Sequence, residues 1–123
     1  MAARAQLGHG MWITLRAARI GRRRQTPPIA PSPSPLLCGD LFTQLGDGPA
    51  LTYDEILSPA AQAEDVFAYS CLAPSAPATI DRLAALEPTT LAVMHGSSFS
   101  GDCRSALSDL ASAHRARIAA ATI

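Results

Sequence analysis

From Leu36 onward the sequence predicts an α/β domain, and three observations carry that reading. Two short apolar runs, residues 36–38 (LLC) and 91–94 (LAVM), are strand-like and end at glycine-containing exits, Gly39-Asp40 and His95-Gly96. Helix-start residues and helical apolar spacing fill the chain between and after them. Gly and Pro clusters separate the elements at the right intervals. The count comes to about two strands and three to four helices in a single unit of modest size.

Residues 1–24 carry six arginines, no acid and three glycines, and read as a weakened, frayed helix on a disordered N-terminal extension. Residues 25–35 (QTPPIAPSPSP) hold five of the ten prolines. That composition favours extended polyproline conformations and marks a linker, so the folded part is expected over residues 36–123. Residues 46–49 (GDGP) have turn chemistry. Thr52 with Glu55 forms a capping-box pattern and predicts a short helix over 53–57. Ser58-Pro59 reads as N-cap and first helical position of a second helix reaching about residue 72, with Ala63, Val66, Tyr69 and Leu72 as its apolar stripe. Pro74 and Pro77 break the chain, and Thr79 caps a third helix over 80–86, stopped by Pro88. Residues 89–94 make a buried strand that implies neighbours on both sides. Ser100 is the expected N-cap of the last helix, with Asp102 favoured by its dipole. That helix runs to about residue 120, with Cys103, Leu107, Leu110, His114 and Ile118 on one face.

Charge and composition narrow the function. Hydrophobic residues are 48% of the chain, but 24 of them are alanine and only six residues are aromatic, so the core is thin. Residues 25–123 carry four arginines against ten acids, a net of −6, which argues against a nucleic-acid-binding domain despite the basic head. The arginine-rich, acid-free head has the composition of a mitochondrial transit peptide, but is read first as sequence unrelated to the fold; its arginines interrupt any secretory apolar stretch. No run approaches the length of a membrane span. Cys38, Cys71 and Cys103 are odd in number and widely spaced, with no C-x-x-C. They read as free thiols in a reducing, cytoplasmic setting.

The two strand exits carry the functional signal. LLCGDLFTQLGDGP followed by LEPTTLAVMHGSSFSGD resembles the C-terminal half of metallo-β-lactamase-fold hydrolases, most closely the branch with the oxygen-reducing di-iron domains of flavodiiron proteins. The resemblance covers roughly residues 36–120. It implies a partial αββα sandwich and a metal centre of zinc or iron at one sheet edge. Asp40 matches the bridging aspartate and His95 the final histidine ligand. A carboxylate can span two cations about 3.5–4 Å apart, and an imidazole supplies one nitrogen, so the donor types agree with the carry-over. Gly39 and Gly96 would let other loops come close. The family's first-half signature H-x-[HE]-x-D-H is absent, and His9 and His114 match neither it nor the middle histidine. The resemblance therefore implies a truncated, inactive hydrolase-like chain. From another class, the same features fit a small non-catalytic interaction module, a homo-oligomer pairing through an exposed sheet edge.

Other motifs carry less. Gly96-x-x-x-x-Gly101 is half a phosphate loop, but Asp102-Cys103 stands where Lys-[Ser/Thr] belongs, and a carboxylate there repels phosphate. Ser97, Ser98 and Ser100 lack the closing glycine of G-x-S-x-G. Cys38 reads as a small buried strand residue. Cys103, in a first helical turn where a thiol can be activated, reads as packed and inert. Arg22–Arg24 is a solvated charge run, and Phe67 and Tyr69 are core candidates.

Overall fold

The computed structural model describes residues 2–6, 12–16 and 34–121. In chain order the elements are β1 (Ala2–Gln6), β2 (Trp12–Arg16), β3 (Pro35–Leu37), β4 (Leu51–Thr52), α1 (Leu57–Phe67), α2 (Ala76–Ala84), β5 (Thr90–Ala92), β6 (Ser98–Ser100) and α3 (Cys103–Ala121). Mixed α/β architecture is confirmed, with four strands in the main sheet where the sequence suggested two. Their order is β3-β5-β6-β4. Strand β5 has a neighbour on each side, parallel β3 and antiparallel β6, and β4 pairs in parallel with β6. The extra strands are two and three residues long. Thr52 and Ser100 have capping side chains, which hides the polar-apolar-polar alternation of Ser98-Phe99-Ser100, the mark of a half-buried strand.

Register places the core. Leu36 lies opposite Leu91, and Leu91 opposite Phe99, so the three form one row across the sheet. All three are buried, and they join Ile80 and Leu83 of α2 with Cys103, Leu107 and Leu110 of α3 in a single cluster. On the other face Leu37 pairs with Ala92 and Leu51 with Ser98. Leu37 and Leu51 there keep 45% and 43% of their surface exposed.

The helices form, but with corrected boundaries. No helix occupies 53–56: Thr52 is drawn into the ladder opposite Phe99, and its Oγ1 accepts the Asp54 N–H at 3.1 Å. Glu55 instead serves α1, its Oε1 accepting the Ser58 N–H at 2.7 Å. Helix α1 stops at Phe67 because Ala68 turns left-handed, at φ 46° and ψ 47°, and its N–H closes on the Glu64 carbonyl. Of the stripe expected through residue 72, Ala63 is buried, Val66 is exposed, and Tyr69 and Leu72 lie half-buried beyond the helix end. Val66 and Phe67 are exposed, while Ala60, Ala63 and Glu64 are buried.

Helix α2 begins before Thr79, whose hydroxyl donates back to the Ser75 carbonyl from inside the helix. Pro77 sits in its first turn, where a missing N–H costs nothing. Ser100 belongs to β6 and does not cap α3; Asp102 does, Oδ1 accepting the Ser105 N–H at 3.0 Å. The last stripe holds over four of its five positions: Cys103, Leu107, Leu110 and His114 are buried, and Ile118 is half-buried. Arginines of α3 pair with Glu87, Asp81 and Asp65 across its neighbours, all near the surface and worth little each.

The head departs from the helix expected for it. Strands β1 and β2 pair antiparallel, from Ala2 opposite Arg16 to Gln6 opposite Trp12. Most of the proline-rich linker and the Arg22–Arg24 run lie outside the described residues. Among the described residues no helix is long and apolar enough to cross a membrane.

Burial separates two substitutions at positions that the sequence reading placed in the apolar interior, Leu91 on a strand and Val66 on a helical stripe. Leu91→Ala empties a fully buried site and should cost about 2–5 kcal/mol in urea unfolding. Val66→Ala, at an exposed position, should change stability by less than about 0.5 kcal/mol.

Candidate metal-ligand pair

Parallel register brings the two strand exits level. Asp40 follows Leu36 by four residues, His95 follows Leu91 by four, and Leu36 and Leu91 are ladder partners. The ladder continues past the strand ends, with Cys38 N–H donating to the Ala92 carbonyl at 2.9 Å and Met94 N–H to the Gly39 carbonyl at 3.4 Å. His95 Nε2 then lies 3.5 Å from Asp40 Oδ1, with side-chain exposures of 58% and 44%.

A tight turn presents Asp40. Gly39 adopts φ +57°, a left-handed conformation that glycine takes without strain. The Leu41 N–H donates to the Cys38 carbonyl, and the Thr43 hydroxyl donates to the Asp40 carbonyl at 2.6 Å. Phe42 is also left-handed, at φ +61°, while its side chain is fully buried. For a non-glycine residue that conformation costs about 1–2 kcal/mol, and burial of the ring in the core offsets it. The close approach expected of both exit glycines holds for Gly96 alone: a Cβ there would stand 2.6 Å from the Gln44 Cβ, whereas one on Gly39 would meet nothing within 4 Å.

One carboxylate and one imidazole are donors that zinc and iron both accept. Two donors fall short of the three or so protein ligands of a catalytic zinc. Among the described residues no group of three or more His, Cys, Asp or Glu is placed to hold a metal ion. His9 lies outside them. Asp40 and His95 are the two potential donors that the strand register brings together.

The remaining histidine and the cysteines have structural places. His114 is buried, its Nδ1 3.0 Å from the Leu110 carbonyl. It lines a water-sized cavity of about 20 Å³ between α1 and α3 together with Glu64, Tyr69, Ser70 and Arg117. The sequence reading missed Glu64, a buried carboxylate whose two oxygens both accept the Ser70 N–H at 3.2 Å. Burial first, then the Glu64 charge, push the Tyr69 phenol above its ordinary value. At the start of α3, hydrogen bonds from Ser105 hold the Asp102 carboxyl below its usual range. An acid thus occupies the helix end where a phosphate loop would need to receive an anion.

Comparison with protein-family models, with characterised proteins and with solved structures finds no match for this chain.

Burial, with the neighbouring Cys103 adding to it, pushes the Cys38 thiol from 9.0 up to about 12, and burial raises Cys103 as well. The unfolded chain loses the Cys38 proton first as pH rises. The stability this thiol contributes is whole below pH 9 and is lost as pH climbs toward 12. Urea midpoints should therefore fall across that window, and less steeply in Cys38→Ala. In the native state a thiol reagent at pH 8 should modify half-buried Cys71 and spare Cys38 and Cys103.

Proposed function

We propose that this chain carries the C-terminal half of a metallo-β-lactamase-like domain, and that Asp40 and His95 are two donors of a metal centre left incomplete in it. It is a weak single-cation binder without hydrolytic turnover. The observation that carries this reading is the 3.5 Å approach of His95 Nε2 to Asp40 Oδ1 at the exits of adjacent parallel strands. Both groups are half exposed, so an ion can reach them without unfolding. Neither sits in a closed pocket that would exclude water and strengthen the interaction. Zinc or iron suits this donor pair.

Titration of the metal-free chain with Co²⁺ or Zn²⁺ tests it. At most one ion per chain should bind, at least tenfold more weakly in Asp40→Asn and in His95→Gln. No hydrolysis of thioester, phosphodiester or lactam probes should rise above the metal-only background. Binding unchanged by both substitutions removes the pair as ligands, and two tightly held ions per chain remove the incomplete centre.

A second reading keeps the interaction module but moves its contact from the sheet edge expected from the sequence to the face opposite the core. There Leu37 and Leu51 stand at the two ends of a row whose middle is Ala92 and Ser98. Small central side chains flanked by exposed leucines suit a flat contact with a second copy. A discrete, metal-independent dimer on sizing with light scattering, returned to monomer by Leu37→Lys with Leu51→Lys, is the expected result. A monomer at all concentrations sinks this reading.

A further inference from the structure

The Asp40–His95 contact is too long and too exposed to hold itself together, so something else must set its spacing. The backbone around it points to one side chain. Gln44 N–H donates to the His95 carbonyl at 2.8 Å. Its side-chain amide then pairs with both polar groups of Ser97, Nε2 donating to the Ser97 carbonyl at 2.9 Å and Oε1 accepting the Ser97 N–H at 3.3 Å. The side chain thus behaves as one extra peptide unit added to the sheet. Ser97 is buried, so without this partner its main-chain groups would be left unsatisfied away from water. Gly96, between the two anchored residues, runs against the Gln44 stem at φ +117°, where a Cβ would collide.

We propose that Gln44 is the positioning residue of this pair: it fastens the loop 95–97 to the turn 40–44 and so fixes the imidazole over the carboxylate. The function assigned to it rests on the metal-binding reading above, while its effect on spacing does not. The Gln44 side chain spends its donor and its acceptor on Ser97 and supplies no ligand to the pair. Only an amide offers a donor and an acceptor from one planar group at this reach. Ionised glutamate lacks the donor, and methionine lacks the donor and has only a weak sulfur acceptor.

The test has a metal-free arm and a metal arm, on the full chain. In the metal-free arm, NMR cross-peaks between the Asp40 β-protons and the His95 ring protons, and slow exchange of the Ser97 amide, should be present in the wild-type chain. Both should be lost in Gln44→Met and in Gln44→Glu, with Ser97 exchange at least tenfold faster. Gly96→Ala, which pushes on the same contact from the other side, should lose the cross-peaks as well, and it serves if a Gln44 variant fails to fold. Ala116→Gly, at an exposed position of α3, is a destabilised control that should keep both signals. Cross-peaks that persist in folded Gln44→Met overturn the proposal. In the metal arm, Co²⁺ affinity should fall at least tenfold in the Gln44 variants and stay unchanged in Ala116→Gly. If wild-type binding does not depend on Asp40 and His95, the metal reading falls, and the metal-free arm still decides the role of Gln44 in spacing.

Discussion

The parallel pairing of β3 with β5 is the constraint on which the rest depends. Leu36 opposite Leu91 is a contact between two buried side chains, continued to Phe99 on β6. A slip of one residue in that pairing would turn Leu36 outward and Leu37 inward, exchanging core for surface. Hydrophobic burial therefore fixes the register, at roughly 1.5–3 kcal/mol for each large side chain. The same register carries Asp40 and His95, each four residues downstream, to one level at one end of the sheet. Their proximity is a consequence of core packing, because the two side chains attract each other only weakly in water.

Downstream of the strands, the backbone is overdetermined. Two left-handed residues within four positions, Gly39 and Phe42, fold the turn back on itself. The buried Phe42 ring anchors it in the core, and Gln44 fastens it to the loop after β5. A strained non-glycine backbone persists where surrounding contacts leave it no alternative. The alanine-rich composition has a place in the same economy of space: Ala76, Ala84 and Ala111 lie in the cluster where α2 and α3 meet. Small side chains there let the helices come close, and the large ones, Ile80, Leu83, Leu107 and Leu110, fill what remains.

Several elements were legible because they follow from local chemistry. The long apolar stripe of α3, the central strand near Leu91 and the glycine exits each depend on neighbours close in sequence. Where the reading missed, tertiary contact outweighed a local preference. Thr52 has a good capping side chain but is claimed by Phe99 on β6. Val66 and Phe67 are apolar but face water, because Ala68 ends the helix and the smaller Ala60 and Ala63 meet the core instead. Glu64 gave no sign of burial, since nothing local tells that the Ser70 N–H will return to it from six residues on.

Alone, the sequence determined the α/β character, the positions of the last helix and the central strand, and the pair of residues with donor chemistry. Those are short-range properties of propensity, period and side-chain type. Tertiary structure alone decided the two extra strands, the strand register, and the 3.5 Å between a carboxylate and an imidazole 55 residues apart. The physical reason is that pairing between distant segments is selected by what the whole core can bury, and no local pattern contains that sum.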